Sequence, residues 1–273
     1  MHTLSTYISC AALFLMLQPV WAQNESKEQL TVALSDPAKP ATLKVDIING
    51  SIHVIGYDGK EVLVEADVPG RQGSEAPKVN AQGMKRITNS GFELTARESA
   101  NKVIVSTGGP NHKINLTIRV PRRCALDLST VNDGEITAEN VSGAMEISNV
   151  NGGITLTNIS GSVVANTVNG DLVVKFKEAS ADTPMAFTTL NGDVDVTFVG
   201  NVKASPKIKS EHGEVFTDYD MEIEKRNQKE EKRNAAGVYK VSIDNWIYGK
   251  INGGGPEMLF KNMNGNIYIR KAK

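Results

Sequence analysis

The chain has 273 residues, enough for one large all-β domain or two ordinary ones. Its 30 Lys and Arg offset 31 Asp and Glu for a net charge of -1, so no global field draws in nucleic acid or an anionic membrane. Hydrophobic residues make up 40% and aromatics only 5%, so the core has to come from Val, Ile, Leu and Ala rather than from rings.

An apolar run starts near Ile8 and closes on Leu13, Phe14, Leu15, Met16 and Leu17. Pro19 to Ala22 then read as a cleavage region, so residues 1–22 are expected to be a secretory signal peptide. The run falls short of the roughly 20 residues a bilayer span needs, and no later segment reaches that length. No transmembrane segment is therefore expected after cleavage. The expected setting is the periplasm, the outer membrane or the cell surface. Cys10 is lost with the signal, which leaves Cys124 alone and excludes an intramolecular disulfide. Between Arg123 and Ala125, it reads as a small filler.

Residues 23–40 are polar, contain Pro37 and Pro40, and read as a loose lead-in. Residues 41–129 form an N-terminal β region. Thr42–Ile47 and Ser51–Ile55 are strands around an Asn49-Gly50 turn, and Glu61–Val68 is another. Gly and Pro mark 69–83 as a loop. Arg86–Asn89, Phe92–Ala96 and Val103–Ser106 are short strands, and Ile114, Leu116, Ile118 and Val120 alternate before Pro121.

Residues 130–273 carry a repeat: an apolar residue, then Asn or Ser, then Gly, then a strand. It runs through Val131-Asn132, Val141-Ser142-Gly143, Val150-Asn151-Gly152, Ile159-Ser160-Gly161 and Val168-Asn169-Gly170. Later copies are Leu190-Asn191-Gly192, His212-Gly213, Ile251-Asn252-Gly253 and Met263-Asn264-Gly265. Between turns, apolar and polar residues alternate, as in Ile154 and Leu156 against Thr155 and Thr157. This period of two gives one buried and one solvated face. The turn residues Val141, Val150, Ile159 and Val168 are expected to extend the apolar set, and the Asn-Gly and Ser-Gly pairs to supply positive φ.

Asn-Gly between strands fits an antiparallel β-meander or sandwich. Equal spacing, with Asn and Ser corners alternating, fits a single-stranded β-solenoid of the parallel β-helix kind. The all-β solenoid is the expected fold. Its structural corners are Asn49, Asn132, Asn151, Asn169, Asn191, Asn252 and Asn264, which could stack as a ladder. Between 222 and 233 a charged insertion breaks the pattern and reads as a solvated loop or short helix.

The Val-Asn-Gly-Asp-Leu unit at Val168, the Leu-Asn-Gly-Asp-Val unit at Leu190, the strand before Pro121 and the closing Met263-Asn264-Gly265-Asn266-Ile267 carry a family resemblance. The sequence from about residue 42 onward resembles the bacterial "putative adhesin" family of β-strand repeat proteins. The resemblance implies a solenoid-like fold and a cell-envelope setting, and it supplies no catalytic residues.

His53, His112 and His212 fit no hydrolase motif, and Cys124 has no neighbour at metal-ligand spacing. No catalytic residue, metal site or cofactor is assigned. Asp171 and Asp193 occupy the same place after Asn-Gly, with Asp195 two residues on. Stacked, this row is the one candidate for a ligand site, by Ca²⁺ binding or glycosidic-bond polarisation. The expected function is a non-enzymatic, adhesin-like envelope protein that binds a glycan or an envelope protein and no nucleic acid. The alternatives are a self-associating scaffold and a solenoid carbohydrate-active enzyme built on those aspartates.

Overall fold

Alternating polarity favours extended chain, and nearly every alternating run is a strand. The computed structural model describes residues 28–69, 93–108, 112–180, 182–224 and 246–273, with the backbone of 230–235 and 238–243. The expected signal peptide, the loop residues 70–83 and the strand at Arg86–Asn89 lie outside the described residues. The strands begin with β1 (Glu28–Ala33), β2 (Ala41–Asp46), β3 (Ile52–Tyr57), β4 (Glu61–Asp67), β5 (Leu94–Ser99), β6 (Lys102–Thr107) and β7 (Asn115–Pro121). Next come β8 (Cys124–Thr130), β9 (Ile136–Glu139), β10 (Ser142–Asn149), β11 (Ile154–Asn169), β12 (Leu172–Ala179), β13 (Met185–Asn191) and β14 (Val194–Phe198). The last are β15 (Ser205–Ser210), β16 (Val215–Thr217), β17 (Met221–Ile223), β18 (Glu230–Ala235), β19 (Val238–Ile243), β20 (Ile247–Ile251), β21 (Glu257–Asn262) and β22 (Ile267–Lys271).

The fold is a β-solenoid in which each coil holds two strands joined at a corner. The first face runs β6-β2-β8-β10-β11-β13-β21-β15, all parallel. The second runs β7-β3-β9-β11-β12-β14-β22-β16, also parallel. β11 serves both faces: Ile154–Thr157 lie on the second and Val164–Asn169 on the first, with positive-φ Gly161 between them.

Chain order is not stacking order. The coil 41–57 is inserted between 102–121 and 124–139, and the closing coil 257–271 between 185–198 and 205–217. Within the stack, antiparallel pairing among the described residues is confined to the ends. β4 and then β1 add to β7, β5 adds to β6, and β20 followed by β17 adds to β15. Thus part of the expected loose lead-in is the strand β1. The charged insertion is also not a loop or helix throughout. Its first residues end β17, and Glu230–Ala235 pairs antiparallel with Val238–Ile243.

Inward residues of both faces form one core of mainly Val, Ile and Leu. One half departs from the expected ring-free core. Phe176 stacks on Phe198 at 5.0 Å and Phe187 on Phe260 at 5.2 Å, with edge contacts between the pairs. The corner apolar residues also divide. Val141 and Ile159 are buried, but Val150 and Val168 are each 36% exposed, because the residues before them, Asn149 and Thr167, take the inward places instead.

The corner glycines are required chiefly by close approach. A Cβ on Gly134 would lie 1.7 Å from the Gly50 carbonyl oxygen, and one on Gly192 2.2 Å from that of Gly170. The same overlap recurs at Gly152, Gly170, Gly265 and Gly213, so a glycine column runs along the stack. Gly134, Gly152 and Gly213 have no positive φ, so the expected role in turn conformation covers only part of the set. Gly192→Ala forces neighbouring coils apart and should cost about 2–3 kcal/mol, read as a lower urea midpoint at unchanged m-value.

Candidate functional site

Three hydrogen-bonded rows run along the glycine corner. In the outermost, Asn151 donates Nδ2–H to Asn132 Oδ1 at 3.1 Å and Asn169 to Asn151 at 2.8 Å. Asn191 donates to Asn169, and Asn264 to Asn191, each at 2.7 Å. Asn49 continues the line by a backbone bridge to Asn132. Asn252 stands elsewhere, capping the 200–202 turn through the Val202 carbonyl at 2.7 Å. The opposite corner has a shorter pair, Asn158 to Asn140 at 2.5 Å, both in left-handed backbone. Ser142 and Ser160 are therefore not the corner residues there. They pair side by side where the chain enters the first face, Ser142 at the start of β10 and Ser160 within β11.

The second row is buried. Thr130 donates its hydroxyl to the Gly50 carbonyl at 2.9 Å, Asn149 its amide to Gly134 at 2.9 Å, Thr167 to Gly152 at 2.8 Å and Thr189 to Gly170 at 3.0 Å. Asn262 and Ser210 make the same bond to Gly192 and Gly265. Sequence reading missed this row. Its only signal was a polar residue two places before Asn132, Asn151, Asn169, Asn191 and Asn264, where the alternation calls for an inward apolar one. Asn149 and Asn262 each leave Oδ1 buried without a partner among the described residues, a cost the threonines avoid.

The third row contains two of the candidate aspartates. Asp171 Oδ1 accepts the Asp193 backbone N–H at 2.8 Å, and Asp193 Oδ1 accepts that of Asn266 at 2.7 Å. Asn266 Oδ1 accepts from Glu214 at 3.0 Å. Each side chain thus caps the backbone of the next coil. Asp195 is on the outer surface of the second face, where both its oxygens accept Arg270 Nε–H, at 2.8 and 3.0 Å. The structure therefore places Asp195 apart from the other two. Among the described residues no group of three or more His, Cys, Asp or Glu could hold a metal.

The outer surface of the second face is a flat strip of aligned side chains. One line runs His53, Thr137, Thr155, Val173, Asp195, Tyr268, Phe216; the next includes Glu139, Thr157, Lys175, Thr197 and Arg270. His53 Nδ1 and the Thr137 hydroxyl are bonded. At the far end the Phe216 and Tyr268 rings stack at 5.2 Å, and the Arg270 guanidinium sits 4.7 Å from the Tyr268 centroid. His212 ends the glycine corner, its backbone N–H bonded to the Met263 carbonyl. His112 lines a shallow cavity of about 220 Å³ beside Asn49. Cys124 is fully buried, and burial pushes its thiol up to about 12.

Stacked two-strand coils with polar corner ladders define a β-strand repeat protein of solenoid type. The chain belongs to the Toastrack DUF4097 family, whose model matches residues 25–246. No curated protein matches it. Solved structures similar to it include a "putative cell adhesion protein" of Clostridium sporogenes, 13% identical, covering 90% of this chain and 100% of that one, TM-score 0.48. A "putative adhesin" of Bacteroides fragilis is 8% identical, covering 92% of this chain and 99% of that one, TM-score 0.40.

Thr167→Val should cost about 1–3 kcal/mol in urea unfolding, because it strands the Gly152 carbonyl, whereas Asn149→Thr should be neutral or stabilising. Cys124 should resist thiol reagents at pH 8 in the native protein and react at once in denaturant. Because its folded pKa is raised, its contribution to stability is present below pH 9 and is lost as pH rises from there towards 12.

Proposed function

We propose that this protein is a non-enzymatic, adhesin-like component of the cell envelope that binds a glycan or an envelope protein on the flat second face. The observation that carries this reading is the employment of the candidate carboxylates. Asp171 and Asp193 hold backbone N–H groups of the next coil, and Asp195 holds Arg270, so the row that suggested hydrolytic or metal chemistry is engaged in structure. What remains outward is a rigid strip of hydroxyls, scattered charges and one aromatic end. A parallel stack holds such groups in fixed register, which lowers the entropy cost of binding an extended partner.

Export through the signal at residues 1–22 is part of the proposal. Intact cells treated with a non-penetrating protease should lose the protein from blots, as expected for a surface-exposed binder. Survival until the outer envelope is opened would remove the adhesive role and leave a periplasmic one.

A further inference from the structure

We propose that Phe216, Tyr268, Arg270 and Asp218, at the end of the second face, form a subsite for one uncharged pyranose ring of a saccharide. This rests on reading the second face as a binding surface. The chain is poor in aromatics, and its described phenylalanines other than Phe216 (176, 187, 198 and 260) are buried in the core. Phe216 is 44% exposed. Its strand, β16, pairs only with β22 among the described residues, so no described strand lies beyond it in the stack. One face of the ring lies on Tyr268 at an interplanar angle of 12°. The C–H face of a pyranose is an apolar plate that fits such a ring, as flat groups in general stack on aromatic faces.

Polar groups flank the ring. Phe216, Tyr268, Arg270 and Asp218 line one open concavity of about 200 Å³. Arg270 is held in place by giving Nε–H to Asp195, and neither of its Nη atoms has an acceptor among the described residues. Asp218 accepts the Lys271 backbone N–H through Oδ1 at 2.5 Å. The site thus offers fixed donors from a guanidinium and a fixed carboxylate acceptor beside an aromatic plate. Vicinal hydroxyls, each both donor and acceptor, can answer both groups. Asp195 neutralises Arg270 and Asp218 adds one negative charge, so the subsite disfavours an anion such as a phosphate or a uronate.

The bland role of the ring pair is to pin the short strand β16, and the test separates the two. Purified protein is applied to an array of neutral glycans, and the best binder is then titrated in solution. Phe216→Ala should weaken binding about tenfold, the size of a lost aromatic contact, and Phe216→Tyr should restore it. Arg270→Met should weaken it with Phe216 intact and the melting temperature unchanged. Binding unaffected by Phe216→Ala in a folded variant overturns the subsite and leaves the binding face standing. So does a protein that adheres to cells or envelope extracts yet takes no neutral glycan. Absence of adhesion and of glycan binding alike removes both readings.

Discussion

The structure depends on how closely its coils approach at one corner. Glycine carbonyls stack so near the next glycine that no Cβ fits between them. That contact sets the register of both faces, because each coil then repeats the backbone of the one before. It also explains the polar rows. A carbonyl in this column points along the stack, where a threonine hydroxyl or an asparagine amide from the next coil meets it. The exposed asparagine ladder and the aspartate caps add hydrogen bonds at the same spacing, so errors of register would break all three rows at once.

A solenoid with open ends invites addition of further coils. Here a coil near each terminus is threaded between coils distant in sequence, and antiparallel strands extend the two faces at every end but that of β16 among the described residues. Asn264 reaches Asn191 across 73 residues, and Thr130 reaches Gly50 across 80. Those pairings are long-range, so the order of assembly is not the order of the chain. The antiparallel caps interrupt the parallel repeat that a further coil of the same kind would extend.

The chemistry of the surface follows from this economy. Side chains near the corners are consumed in holding coils together. Those in the middle of the second face pair more sparsely, as His53 with Thr137 and Asp195 with Arg270, and at one end an aromatic pair, an arginine and an aspartate converge. The concavity at that end is open rather than enclosed.

The sequence by itself determined the strands, the inward and outward sets, the coil length and most corner asparagines, because period-two alternation and stacked turns are local and repeat. Thr155 outward and Leu156 inward could be read directly from that alternation. The buried Thr and Asn row was half legible: Thr167 and Asn149 sit where an apolar residue belongs, but only the neighbouring glycine carbonyl gives them a reason. Threading of 41–57 and 257–271 into the stack was not legible, since edge pairing between parallel strands leaves no mark on sequence order. The division of Asp171 and Asp193 from Asp195, and the meeting of Phe216 with Tyr268, were likewise decided by tertiary structure alone. Both depend on which coil lies beside which, and only the folded stack fixes that.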